Sequence, residues 1–105
     1  MTKTKKIDVA RDFHDELIGR FPSDSDYNGQ KFRDEFLVPA LKKFDEVMVV
    51  FDGVEGYGSS FLDEAFGGLI HTCHLHKDEV KRKLKLVSKE DESLVEEIVG
   101  YIERA

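Results

Sequence analysis

Two adjacent serines, Ser59 and Ser60, are the residues with the clearest potential for chemistry. They follow a loop that contains Gly53, Gly56 and Gly58, and the loop itself follows the apolar run at 47–51. If a helix begins at the serines, its free N–H groups and positive dipole end would favour a phosphate on Ser60 or Ser59. The pair is therefore a candidate phosphate acceptor.

The same serines have a purely structural interpretation. Ser60 is followed three residues later by Asp63, which fits the capping box in type and predicts a helix cap. A nucleophile elbow instead needs glycine two places on either side of the serine, and Leu62 occupies the second of those places. With no Walker or dinucleotide fingerprint either, we expect no enzymatic activity and no cofactor.

The segment "HTCHLHK" raises the question of a metal site, because His71, Cys73, His74 and His76 fall within six residues and are typical zinc ligands. A helix running through His74 would place His71 and His74 on one face and Cys73 on the opposite, buried side. These side chains could not converge, so the sequence predicts no metal.

A docking face is the simpler interpretation of this region. Ser60, Glu64, Gly67 and His71 recur at three- and four-residue steps, which would align them on one side of a helix. The preceding loop adds an exposed Tyr57 to the predicted face, and the glycines would let the backbone of a partner come close.

Charge and cysteine content limit the classes of function. A net charge of −6 argues against nucleic-acid binding, which needs a basic surface. Cys73 is the single cysteine, the first ten residues contain no apolar core of a signal peptide, and no apolar run approaches bilayer length. We expect one domain over residues 1–105, located in the cytoplasm, with no membrane association.

The N-terminal half predicts strand and helix in turn. Residues 5–10 are typical of an edge strand with lysines, whereas 11–29 could hold a short helix or a second strand. Apolar residues at helical spacing over 32–44 predict a helix with Asn28 as its N-cap. Pro39 predicts a kink or break near 35–38. The run at 46–53 is typical of a central strand buried on both faces.

The C-terminal half continues the alternation. Apolar spacing predicts a helix over 61–73 that Gly67 and Gly68 interrupt, a strand at 82–87, and a closing helix capped by Ser88. Charged runs such as "KDEVKRK" are typical of solvated segments. Strands that alternate with helices indicate an α/β domain with a mostly parallel or mixed sheet.

The segments "NGQKFRDEFLVPAL", "VMVVFDGVE" and "GYGSSFLDEAFGGL" together resemble the bacterial STAS-like domains of unassigned function, which are related to the anti-sigma-factor antagonists. The resemblance covers about Lys6 to Val87. It implies an α/β fold of STAS type, a small mixed sheet with helices packed mainly on one face. In the antagonists a partner kinase phosphorylates the second serine of an Asp-Ser-Ser-Gly motif. That serine aligns with Ser60, while Gly58 and Phe61 replace the flanking Asp and Gly.

The resemblance also implies a partner, a histidine-kinase-like ATPase or similar regulator. We therefore predict a non-enzymatic signalling or adaptor module that docks a protein through the loop and helix at 55–71, with serine phosphorylation as a candidate switch. The alternative is a module that binds a small ligand or nucleotide at the same loop. The predicted partner-binding residues are Glu55, Tyr57, Gly58, Ser59, Ser60, Asp63, Glu64, Gly67 and His71.

Overall fold

Strands and helices alternate along the chain in the manner of a parallel α/β fold. The computed structural model describes residues 2–105. Its elements in chain order are β1 (Thr4–Asp8), α1 (Val9–Asp12), β2 (Glu16–Leu17), α2 (29–43), β3 (Glu46–Val50), β4 (Gly56–Tyr57), α3 (59–71), α4 (Lys77–Lys83), β5 (Leu84–Val87) and α5 (Glu92–Arg104). The predicted α/β class is confirmed. The segment at 11–29, for which the sequence allowed a short helix or a second strand, contains the short strand β2.

The main sheet has three strands in the order β1-β3-β5, so β3 is central and β1 lies at an edge, as predicted. Ile7 pairs with Val49, and Val49 in turn pairs with Leu86. β2 and β4 form a separate two-stranded sheet. Every strand pairing among residues 2–105 is parallel. The sheet was predicted to be mostly parallel or mixed, and it is parallel.

Burial alternates along β3. Val47 and Val49 are completely buried, whereas Met48 and Val50 are partly exposed. The prediction that this strand is buried on both faces is therefore wrong, because helices cover only one face of the sheet. On the other face Met48 pairs with Lys6 and Lys85, and the aliphatic stems of lysines can shield an apolar neighbour while their charges remain in water.

Helix α2 begins where the sequence predicts and changes its hydrogen-bond register before Pro39. The Asn28 side chain accepts a hydrogen bond from Lys31 N at 2.9 Å, so the predicted N-cap is confirmed. Arg33–Leu37 form a π-helical turn, in which Val38 N donates to Arg33 O. The predicted break near 35–38 is thus a widened turn. Pro39 follows at the start of the next α-helical turn, where its missing N–H is tolerated.

Helix α3 begins after Gly58, which is its N-cap and provides no capping side chain. Ser60 therefore lies inside the first turn, and the predicted Ser60 cap is wrong. A second π-helical turn spans Asp63–Gly67. The helix ends at His71 rather than running through His74, which adopts a left-handed φ of 57° in the turn that follows.

The C-terminal elements differ from prediction in their bounds. Lys77–Lys83 form helix α4, and the strand predicted from residue 82 begins at Leu84. The predicted Ser88 cap of α5 is wrong, because the Asp91 side chain accepts from Ser93 N at 3.1 Å and caps the helix. Ser88 instead accepts a hydrogen bond from Asp91 N at 3.0 Å.

The helices pack their apolar residues against one face of the main sheet. Phe32 from α2 and Phe66 from α3 have ring centroids 6.1 Å apart, and Ile98 of α5 is buried in the same cluster as Val49. No helix within residues 2–105 is both long enough and apolar enough to cross a bilayer.

Candidate functional site

The glycine-rich loop between β3 and α3 is held by its own backbone N–H groups. Glu55 N and Gly56 N donate to Asp15 O at 2.7 and 3.4 Å, and Gly58 N donates to Leu17 O at 2.8 Å. These bonds continue the pairing of β2 with β4. These three N–H groups of the loop are therefore already paired with acceptors of the chain.

The beginning of the loop is tied to the segment that precedes α5. Asp52 Oδ1 accepts hydrogen bonds from Lys89 N at 2.8 Å and from Glu90 N at 3.0 Å. Gly53 has a left-handed φ of 95°, which glycine adopts without strain, and its N–H donates to Glu90 Oε1 at 2.6 Å. The carboxyl end of the sheet is thus closed by contacts between two loops.

Tyr57 was predicted to be exposed, but it is partly buried. Its hydroxyl donates to Asp91 Oδ2 at 2.8 Å. The hydrogen bond to Asp91, followed by burial, raises the pKa of Tyr57. Hydrogen bonds from Ser93 and then from Tyr57 lower the pKa of the Asp91 carboxyl. Tyr57 therefore connects the loop to α5.

The two serines differ in accessibility. Ser59 is exposed and Ser60 is partly buried, and both lie in the first turn of α3. The Ser59 hydroxyl lies near Tyr101 of α5, whose hydroxyl donates to Glu97 Oε2 at 3.0 Å. A chemical group added to Ser59 would project into solvent beside these two side chains.

The predicted docking face is interrupted by burial. His71 is exposed, but Glu64 and Gly67 are buried among residues of the chain. The π-helical turn at Asp63–Gly67 adds a residue to the helical repeat, so the three- and four-residue steps of the sequence do not describe a single outer face. A partner on this side would contact Ser59, Ser60 and Glu55 without reaching Glu64. Partner binding itself stays a prediction.

A buried ion pair connects the two π-helical turns. Arg33 Nη1 of α2 donates to Glu64 Oε2 of α3 at 2.5 Å and to Glu64 O at 3.1 Å. Both side chains are almost fully buried, at 5% and 7% exposure. Gly68 provides the necessary space, because a Cβ there would lie 2.6 Å from Arg33 Nη1. We did not predict this pair from the sequence.

The signal for the buried arginine lies in the helical spacing of α2. Arg33 precedes Leu37 by four residues and Ala40 by seven, so it falls on the apolar stripe. Burial alone would lower its pKa, but hydrogen bonds to Asp34 and Glu64 outweigh burial and raise the pKa above its usual value. The guanidinium therefore stays charged inside the protein.

A second arginine joins the loop at 18–27 to the same helix. Arg20 Nη1 lies 2.9 Å from Asp63 Oδ2 and 3.7 Å from Glu64 Oε1. The loop also carries exposed apolar side chains, with Ile18 50% and Phe21 44% exposed. Because Gly58 N donates to Leu17 O, Ile18 lies next to the start of α3.

The histidine-rich segment lies in the turn after α3. Within residues 2–105 no set of at least three His, Cys, Asp or Glu side chains is arranged to hold a metal ion. Cys73 is a partly buried free thiol, and Thr72 Oγ1 lies 2.9 Å from His71 Nδ1. The expectation of no metal stays a prediction.

This chain belongs to the family described as the STAS-like domain of unknown function (DUF4325), whose family model matches residues 28–94. The match spans well over half of the chain and includes α2, β3, the glycine-rich loop and α3. The family resemblance predicted from the sequence is therefore confirmed. No curated protein and no solved structure matches the chain significantly.

Proposed function

We propose that this STAS-like domain is a non-enzymatic adaptor that docks a protein partner at the start of α3. The docking surface consists of Glu55, Ser59 and Ser60, extended by Ile18 and Phe21 from the neighbouring loop. A histidine-kinase-like ATPase or similar regulator is the class of partner that the family resemblance favours. Phosphorylation of Ser60 or Ser59 is the proposed switch.

The observation that carries this proposal is an exposed serine beside exposed apolar residues. Ser59 is the first residue of α3, and no side chain within residues 2–105 caps this end of the helix. Ile18 follows Leu17, whose carbonyl accepts a hydrogen bond from Gly58 N. Exposed apolar side chains rimmed by polar groups are typical of protein interaction sites. The loop that carries them is tied to the start of α2, since Gly29 N donates to Gly19 O and Gln30 N to Arg20 O, each at 2.9 Å. A preformed surface avoids part of the entropy cost of binding.

Charges near the serines support a switch at this position. A phosphate adds nearly two negative charges, and Ser60 lies one helical turn before Asp63 and Glu64. Arg20 pairs with Asp63 and is 37% exposed, so it is a candidate partner for a phosphate on this turn. Phosphorylation would therefore compete with Asp63 for Arg20 and change the charge beside Ile18.

The alternative of a nucleotide or small ligand at the loop has less support. Backbone N–H groups of Gly53, Glu55 and Gly58 already donate to acceptors of the chain. Arg33 is buried against Glu64 and is not available to a ligand at the loop. A phosphate held by the loop itself would have to displace these bonds.

The test measures partner affinity and melting together. A tagged chain is used to purify its partner, and the affinity is then measured by titration with Ser60→Asp, Ser59→Asp, Ser60→Ala and Ile18→Asp. We expect at least one of the Ser→Asp variants to shift the Kd tenfold or more, about 1.4 kcal/mol, and Ile18→Asp to weaken binding. Ser60→Ala should keep the wild-type melting temperature, because Ser60 does not cap the helix.

Thr2→Asp is the control, because it adds the same charge at an exposed residue before β1. Equal affinity for wild type and both Ser→Asp variants would reject the switch. Unchanged binding by Ile18→Asp would reject the docking surface. Mass spectrometry of the chain isolated from its native cells identifies which serine carries phosphate.

A further inference from the structure

A cavity of about 280 Å³ lies between α2, the turn after α3, and α4, and none of its lining residues belongs to the proposed docking surface. Its lining residues are Leu41, Lys42, Leu75, His76, Glu79, Val80 and Lys83. Leu41 and Val80 are buried members of the main core, and Leu75 packs against it. The cavity therefore has an apolar floor that continues the core of the protein.

One wall of the cavity is a lysine held in a fixed position. Lys83 is only 16% exposed, its Nζ donates to Leu41 O at 2.9 Å, and it lies 3.3 Å from Glu79 Oε1. Lys42 also lines the cavity, so the lining includes two lysines and one glutamate. The chain as a whole has a net charge of −6, which makes this local excess of cations distinctive.

Another part of the lining is formed by the turn after α3, which contributes Leu75 and His76. His74 has the only positive φ among non-glycine residues within 2–105, at 57°, a conformation that costs free energy in most residues. Leu75 N donates to Leu69 O at 2.9 Å and Val80 N to His76 O at 3.0 Å. These bonds hold Leu75 and His76 in place, so a ligand would not have to order this wall.

From this geometry we propose that the cavity binds a small amphipathic anion, an aromatic or branched aliphatic group that carries one carboxylate or sulfonate. The apolar body would lie on Leu41, Leu75 and Val80, and the anionic group would lie against Lys83 and Lys42. The volume is close to the lower end of pockets that bind small molecules, about 300 Å³, which limits the ligand to a compact body. Glu79 is 54% exposed, so it can turn into solvent when the anion pairs with Lys83. The site is independent of the proposed docking surface.

The probe for the test is 8-anilinonaphthalene-1-sulfonate, which combines an aromatic body with one sulfonate and reports binding by fluorescence. We expect saturable binding of one probe per full-length chain. Lys83→Met should raise the Kd at least tenfold. Lys81→Met is the matched control on the same helix, because Lys81 pairs with Glu103 and does not line the cavity. It should leave the Kd within twofold of wild type.

Two further measurements keep the result interpretable if Lys83→Met is unstable. Leu75→Trp should fill the cavity and abolish binding, and uncharged N-phenyl-1-naphthylamine should bind wild type at least tenfold more weakly than the sulfonate. Circular dichroism verifies that each variant is folded. The proposal is overturned if the probe does not saturate, if the two lysine variants behave alike, or if folded Leu75→Trp binds as wild type does.

Discussion

At the scale of single residues, the distinctive feature is a charged pair buried inside an otherwise apolar interface. Arg33 and Glu64 satisfy each other across two helices, while Arg20 and Asp63 form a similar pair at the surface. A buried pair need not be more stabilising than two apolar residues, but loss of one partner leaves a charge unpaired in the interior. The two pairs therefore differ in what a single substitution does.

We predict that Glu64→Gln lowers the free energy of unfolding by about 2 kcal/mol, because Arg33 loses its buried counter-charge and keeps only the half-exposed Asp34 as an ionic partner. Asp63→Asn, its neighbour in the half-exposed pair, should cost at most about 1 kcal/mol. Urea unfolding of both variants measures the difference. The double variant Arg33→Met/Glu64→Met should recover most of the lost stability. Equal costs for the two single variants would contradict the distinction.

At the scale of elements, α2 and α3 are in close contact at their first turns. Gly29 opens α2, and a Cβ at this position would lie 2.6 Å from Phe61 O and 3.0 Å from Glu64 Cβ. The obstacle is backbone of α3, which cannot rotate away as a flexible side chain can. Close packing at this point brings the two π-helical turns, and hence Arg33 and Glu64, within hydrogen-bond distance.

Gly29→Ala should therefore destabilise the domain by about 1–3 kcal/mol, the usual cost of overpacking. This direction is opposite to helix propensity, which favours alanine over glycine by about 1 kcal/mol. Gly56→Ala is the matched control, since no atom lies within 4 Å of the added Cβ. A Gly29→Ala protein that melts at or above the wild-type temperature would show that the helices can separate without cost.

The uncovered face of the sheet provides a second test at this scale. Val49 is fully buried, so Val49→Asp should leave the chain unfolded because it buries an unpaired charge. Met48→Asp places the same side chain between Lys6 and Lys85 and should remain folded. Thermal melting followed by circular dichroism compares the two variants. Cooperative melting of Val49→Asp would contradict the assignment of faces.

At the scale of the whole molecule, side-chain hydrogen bonds and ion pairs, some local and some between distant segments, make stability depend on pH. The pKa values of Asp12, Asp91 and Glu103 are lowered in the folded protein, mainly by hydrogen bonds to Arg11, Ser93 and Lys81 respectively. Their contribution is present above the unfolded pKa and is lost as the pH falls through the folded pKa. The raised pKa of Tyr57 acts in the opposite direction. Its contribution to the free energy of unfolding is lost as the pH rises through the folded pKa.

We therefore expect the urea midpoint to be steady near neutral pH and to fall below about pH 4 and above about pH 10. Tyr57→Phe should reduce the alkaline decrease, because the residue that must ionise in the unfolded chain is gone. Lys81, whose pKa is raised chiefly by its hydrogen bond to Glu103, titrates in both proteins and cancels from the comparison. Identical alkaline decreases in both proteins would refute the role of Tyr57.

Local sequence patterns predicted the helices and strands of this molecule well, but they did not predict the side-chain contacts between them. Helical spacing revealed α2 and α3, and the cap at Asn28 is a contact within four residues. The Arg33–Glu64 pair joins residues 31 positions apart, which periodicity cannot detect. Helix α4 has one buried residue, Val80, among charged neighbours, so it lacks an apolar stripe.

The prediction of the site residues was limited for the same reason, since it also relied on local spacing. Ser60 and Asp63 have the spacing of a capping box, yet Gly58 is the cap and Asp63 pairs with Arg20 instead. The π-helical turn then moved Glu64 inward, although its spacing from Ser60 predicted an outer face. Ser59 is exposed in the first turn of α3, and its predicted roles in phosphorylation and partner binding stay predictions.

The order β1-β3-β5 has a practical consequence for anyone who shortens the gene. The family match begins at Asn28, but β1 lies beside β3 and contributes the buried Ile7, which pairs with Val49. A recombinant fragment trimmed to the family bounds would leave the valine-rich strand β3 at an open edge without the lysines of β1 that protect it. Such edges recruit strands from other molecules, so the trimmed fragment should accumulate in inclusion bodies.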